Sequence, residues 1–188
     1  MARTHGTAWP WLLADNSERI IGLRAPDGYE TYLVMQWYGA WMNSTDHTAL
    51  ANTATAIDYD TIGYDGYGIT LSNGSRLNVD ADGVYACEIT AQFSNDTGTI
   101  HEADMWLRKN GSDVALTNRA IYVPKQHAGG HGHVVAHVRH VIGMKANDYL
   151  ELMWSTQSAD VILEHKDAQT NPVRPATPSV MVTMQRVA

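Results

Sequence analysis

The stretch GVYACEITAQF, residues 83–93, alternates residue by residue. Tyr85, Cys87, Ile89, Ala91 and Phe93 fall on one side; Val84, Ala86, Glu88, Thr90 and Gln92 fall on the other. A period of two is the signature of a β-strand with one apolar and one wetter face. The question it raises is what a chain built from such strands does, since no reactive group accompanies them.

The same grammar extends in both directions. Asp27-Gly28, Asp65-Gly66, Asn73-Gly74, Asp82-Gly83 and Asn110-Gly111 are pairs that tolerate positive φ in tight turns. GITLSNGSRLNV reads as two strands joined at Asn73-Gly74, and EADMWLRKNGSDVALTN as a hairpin around Asn110-Gly111. In HVVAHVRHVIGM, Val134, Ala136, Val138 and Ile142 share a face; DYLELMW follows the Asn147-Asp148 turn, and ADVILEH and SVMVTMQRV close the chain. No segment carries a capped 3.6-residue pattern. Many short strands at near-regular spacing predict an all-β fold, an antiparallel sandwich or barrel.

Composition narrows the function classes. The chain has 188 residues, 44% hydrophobic and 18% charged, which fits one globular domain with a short arm. A net charge of -7 with no basic stripe excludes a phosphate-neutralising nucleic-acid binder. The first apolar patch, in MARTHGTAWPWLLADN, is too short and proline-broken for a secretory or membrane segment. Synthesis and folding in a cytoplasm are therefore expected, with no membrane partner. Cys87 is the single cysteine and lies on the apolar face of its strand, so it reads as a core side chain.

The predicted organisation is an arm with a hairpin over residues 1–32 and a sandwich domain over 33–188. Four of the six tryptophans, Trp9, Trp11, Trp37 and Trp41, fall in the first 41 residues. They either cap the sandwich or form a partner-binding segment, since tryptophan is enriched at binding hot spots. KDAQTNPVRPATPS holds three of the six prolines and reads as a loop before the last strand.

No catalytic signal stands out in the sequence. HAGGHGHVVAHVRH contains five of the nine histidines, and His131, His133 and His137 share the odd-numbered face of a strand. Imidazoles two residues apart on a strand face lie roughly 6–7 Å apart and can converge on one metal ion. Against this, no cysteine or HExxH accompanies them, so solvent-facing or interface histidines are the plainer expectation. Asp58, Asp60 and Asp65 cluster in IDYDTIGYDGYG, yet the DxDxDG calcium loop is absent. There is no GxSxG elbow and no phosphate-cradling glycine loop. The chain is read as a non-enzyme with no cofactor.

Four motifs then stand in a telling order. Ile21-Gly22 through Pro26-Asp27-Gly28 forms a lead-in; Gly83-Val84-Tyr85 opens a central strand; Lys109-Asn110-Gly111 makes a turn; and Asn147-Asp148 precedes Tyr149-Leu150-Glu151-Leu152. This arrangement, over about residues 35 to 187, resembles the tumour-necrosis-factor-like jelly roll shared with globular complement domains. The versions it most resembles are carried by virion proteins of tailed bacteriophages. Asn147-Asp148 departs from the Gly-Asp usual there.

The resemblance implies an antiparallel jelly-roll sandwich assembled as a compact homotrimer; in such an assembly His131, His133 and His137, if they face the axis, are expected as trimer-interface or metal residues. The implied role is a capsid decoration (cement) protein on the outer head surface of a phage, with the major capsid protein as partner. A short tail fibre or tail-tip receptor-binding protein, stacking glycans on Tyr64, Tyr67 and Trp154, is the alternative. A metal- or carbohydrate-binding jelly-roll enzyme is a third.

Overall fold

The computed structural model describes the backbone of residues 11–14, 20–24, 30–32 and 37–188, and the side chains from residue 37 onward apart from that of Asp65. The chain divides into two units, Met1–Gln36 and Trp37–Ala188. In the first, β1 (Trp11–Ala14), β2 (Ile20–Arg24) and β3 (Glu30–Tyr32) form a three-stranded antiparallel sheet in which Arg24 pairs with Trp11 and with Glu30.

The second unit contains β4 (Tyr38–Asn43), β5 (Thr55–Ala56), β6 (Thr61–Tyr67), β7 (Ile69–Ser72), β8 (Arg76–Val79) and β9 (Gly83–Asn95). It continues with β10 (His101–Lys109), β11 (Ser112–Asp113), β12 (Arg119–Val123), β13 (Gly132–Met144) and β14 (Tyr149–Thr156). It ends with β15 (Val161–Leu163), β16 (Gln169–Thr170), β17 (Val173–Arg174) and β18 (Val180–Arg186). No helix occurs among the described residues.

Two antiparallel sheets face each other. One runs β13-β9-β18-β4-β6, with β15 also on β9; the other runs β11-β10-β14-β8-β7, with β12 on β10 and β5 on β14. The chain passes back and forth between them: β9 lies in the first sheet, β10 in the second, β13 in the first, β14 in the second. That crossing pattern is the jelly roll, and it makes each strand present one face inward.

The opening stretch is the axis of the core. Tyr85, Cys87, Ile89, Ala91 and Phe93 are buried, beside Val180, Val182, Met184 and Trp41 of the same sheet. The other sheet answers with Leu77, Val79, Met105, Leu107, Leu150, Leu152 and Trp154. Burying one such side chain is worth about 1.5–3 kcal/mol. Phe93 and Trp154 meet edge to face, their centroids 6.1 Å apart and planes at 62°.

The turns form where the sequence asks for them. Asn73 and Gly74 both have positive φ (49° and 75°) between β7 and β8, and Asn110 and Gly111 (50° and 80°) between β10 and β11, the two-residue hairpin geometry. Asp65-Gly66 differs: it lies inside β6, not in a turn. There Gly66 serves close packing, since a Cβ would sit 2.4 Å from the Ile69 carbonyl oxygen. Asp27-Gly28 lies outside the described residues.

Candidate functional site

The two sheets turn different faces outward. On the seven-stranded sheet the outward side chains are charged and polar around Trp106, Tyr149 and the exposed Tyr122, and several are tied to one another. Ser75 Oγ donates to Glu151 Oε1 at 2.9 Å, and the Arg76 guanidinium reaches the same oxygen at 3.3 Å. Arg108 Nε donates to Asp113 Oδ1 at 2.7 Å, which also accepts the Trp106 indole N–H at 2.9 Å. Such a surface suits water.

The six-stranded sheet differs. Its register sets outward residues in rows that cross five strands. One row is His137–Thr90–Met181–Met42–Thr61, the next Arg139–Glu88–Thr183–Ala40–Tyr64, the third Val141–Ala86–Gln185–Tyr38–Tyr67. Val141 is 61% exposed, Tyr64 59% and Met181 39%, and Val135, one step beyond the first row, 59%. Within these rows the full charges are Arg139 and Glu88, which pair at 3.1 Å and cancel. Low charge density with exposed methionine, tyrosine and valine on a broad sheet is the make-up of a surface that meets protein. β13 forms the edge of this sheet over 13 residues.

The histidines sit on that edge. Gly132 tucks inward: a Cβ there would lie 1.8 Å from the Pro124 carbonyl oxygen. With Gly132 facing in, His131 and His133 both turn outward, their ring centroids 6.0 Å apart. His131 Nδ1 lies 3.4 Å from Glu164 Oε1, and His133 Nδ1 lies 3.1 Å from Glu164 Oε2. Ser94 Oγ is 3.1 Å from His131 Nδ1, and Lys166 Nζ is 3.4 Å from both Glu164 Oε2 and His133 Nε2. Burial pushes the His133 imidazole below its ordinary value; Glu164 pulls it up, and Lys166 and His131 push it down.

His137 does not join this group. Four residues from His133 along an extended strand is about 13 Å, and its Nδ1 instead meets Thr90 Oγ1 at 3.0 Å. Glu164 was missed in the sequence because it lies 31 residues from His133, beyond β14 and β15. Only the register of β13 and β15 on β9 brings them together.

The tryptophans separate. Trp41 is 3% exposed and belongs to the core, so its ring has no free face for a partner. Gly39 makes room for it: a Cβ there would meet the ring at 2.2 Å. Trp37 packs partly buried against the core, with Tyr67 edge-on at 6.0 Å and the Arg186 guanidinium 5.8 Å above it. Trp11 lies in β1, and Trp9 is outside the described residues.

Other candidates resolve into structure. Burial pushes the Asp60 carboxyl up, but hydrogen bonds from the Ser44 amide and hydroxyl (2.8 Å each) and the Thr61 hydroxyl leave it below the ordinary value. Asp60 thus pins the end of β4 to β6. Trp154 is fully buried, which removes it as a glycan-stacking surface.

No protein-family model matches the sequence, and no curated protein matches it. Among solved structures the chain is similar to murine APRIL, with a TM-score of 0.51 and 9% identity over 81% of this chain and 99% of that one. At that identity the likeness is one of architecture, and it shows that the chain has the tumour-necrosis-factor-like jelly-roll fold.

Proposed function

We propose that this chain is a structural, non-catalytic protein that assembles as a homotrimer through the outer face of its six-stranded sheet and decorates the outer head surface of a tailed bacteriophage. The observation that supports it best is the contrast between the two sheets. One carries bonded networks around Glu151 and Asp113 among its outward side chains; the other offers rows of Met42, Met181, Tyr38, Tyr64 and Val141 around one neutralised ion pair. Apolar area withdrawn from water, at about 25 cal/mol per Å², is the driving force for such an association.

A trimer matches the local threefold positions of a capsid lattice. The segment containing Trp9 and Trp11 would grip the major capsid protein, three copies acting together with avidity. The net charge of -7 keeps the assembly soluble and away from packaged nucleic acid. Residues with catalytic geometry do not figure in this role. Assembly in the host cytoplasm and a final place in the virion belong to the same proposal.

One observation favours a second reading, glycan recognition at a tail tip. A cleft of about 410 Å³ on the seven-stranded sheet sets the Trp106 ring among Asp104, Asp113 and Asn118. An apolar ring beside convergent polar groups is the chemistry that holds a sugar.

Purified protein mixed with undecorated heads distinguishes the two. Saturable head binding, lost on deleting residues 1 to 30 while the trimer persists, is the expected result. Binding to host cells or glycans without head binding would favour the tail tip and overturn the cement reading.

A further inference from the structure

We infer that His131, His133 and Glu164 form a zinc-binding site on the edge of the six-stranded sheet, complete within one chain. His131, His133 and Glu164 each offer a donor atom, and the three atoms lie within 4.8 Å of one another. The two histidine-to-carboxylate distances are 3.4 and 3.1 Å. A tetrahedron drawn with zinc–ligand bonds of about 2.0–2.1 Å has edges of about 3.3 Å. The two contacts are of about that length but fall on different carboxylate oxygens, so Glu164 would offer both oxygens to the ion or turn one between the rings, a side-chain adjustment.

The positions are built rather than accidental. Gly132 tucks against Pro124 and so turns both rings to the same side of the strand. Glu164 arrives from the opposite side of β9, its own amide held by the Gln92 carbonyl at 2.8 Å. Its Oε2 is shielded from solvent and receives no aligned hydrogen bond, with His133 Nδ1 3.1 Å and Lys166 Nζ 3.4 Å away. Ser94 Oγ, 3.1 Å from His131 Nδ1, positions the ring in the metal-free chain and must release that nitrogen when the ion enters. Asp96 Oδ1 lies 4.0 Å from His131 Nε2, on the far side of the ring from Glu164. A carboxylate that hydrogen-bonds the back of a ligating imidazole fixes its orientation and raises its basicity; Asp96 stands at ion-pair distance from that nitrogen and would have to close in to do so.

The donor set narrows the metal. Two imidazoles with one carboxylate suit zinc and its first-row transition-metal neighbours, whereas calcium and magnesium want oxygen throughout; zinc is the ion assigned for the tetrahedral edge lengths. Three protein ligands leave one position for water or for a group from outside the chain. Bound there, the ion would fasten the edge strand β13 to the segment after β15, across β9. Lys166 is the internal competitor: its ammonium, 43% exposed at the side chain, lies 3.4 Å from Glu164 Oε2 and must swing into solvent when the ion enters.

That competitor makes the test specific. The full chain, stripped of metal by a chelator, is titrated with zinc chloride against a chromophoric competitor, and cobalt chloride is added separately to read the absorption of a tetrahedral site. The expected result is one zinc per chain. Glu164→Gln and His133→Ala should each weaken binding by about tenfold or more, the scale of loss seen even for outer-sphere partners. Lys166→Ala should strengthen binding, and His137→Ala should leave it unchanged. Circular dichroism of the metal-free variants confirms that each is folded. Zinc uptake by the parent chain no greater than by the His131→Ala/His133→Ala/Glu164→Gln variant would overturn the site. So would equal affinity in Glu164→Gln, which would mean a bare surface histidine pair.

Discussion

Asn110 and Asp148, 38 residues apart, close on each other: Asn110 Nδ2 donates to Asp148 Oδ1 at 2.7 Å. Asn110 Oδ1 in turn accepts the Tyr149 amide at 2.9 Å, and Lys109 Nζ stands 3.5 Å from Asp148 Oδ2. The Lys109-Asn110-Gly111 turn and the Asn147-Asp148 turn are thus one clasp at the end of the β10–β14 pair. Asn110→Gly keeps the positive φ of the turn while removing both side-chain bonds. It should cost about 1–3 kcal/mol, read as a lower urea midpoint with an unchanged slope.

Acid should loosen the same clasp. Hydrogen bonds from the Lys145 amide and from Asn110, together with the Lys109 charge, hold the Asp148 carboxyl below its ordinary value of 3.8. A carboxylate depressed in the folded chain contributes stability that is present above the unfolded value and is lost as pH falls through the folded one. Unfolding followed from pH 6 downward should steepen at about pH 4 and below. Asp148→Asn should be less stable at neutral pH and show a shallower acid limb.

His47 acts at milder pH. Its Nε2 accepts the Asp58 amide at 3.3 Å, and its ring meets Trp154 edge to face at 5.9 Å. Burial pushes it below 6.5, although the Asp58 charge and a backbone bond at Ala56 pull the other way. The unfolded chain therefore takes up this proton first, and stability falls as pH drops from the ordinary histidine value through the depressed folded one. The thermal midpoint should be lower at pH 5 than at pH 8, and His47→Gln should narrow the gap.

Cys87 should be chemically silent. It is 1% exposed, and burial pushes its thiol up to about 12, with the Glu88 charge adding to the effect. Iodoacetamide at pH 8 should leave the native protein unmodified, and denaturant should release one reactive thiol per chain.

Local pattern was enough for the sandwich but not for its sites. Alternation placed Tyr85 to Phe93 inward, and Asn-Gly pairs marked two hairpins, because period and turn chemistry are properties of adjacent residues. Asp65-Gly66 misled because glycine also serves close backbone approach inside a strand. Trp41 and Trp154 could not be separated from surface tryptophans by type alone; strand phase decides, and both face the core. The pairing of His131 and His133 was visible in His-Gly-His spacing. Glu164 and Asp96 were not, since they reach the histidines through sheet register.

Sedimentation equilibrium of the parent chain beside Met181→Glu tests the central claim most directly. Met181 lies in the middle of the first outward row and is not part of the core, so the substitution adds charge to the face without emptying the sandwich. The account predicts three times the chain mass of 20.7 kDa for the parent at micromolar concentration, and a single 20.7 kDa species for the variant. A parent that sediments at 20.7 kDa, or a variant that remains trimeric, would contradict it.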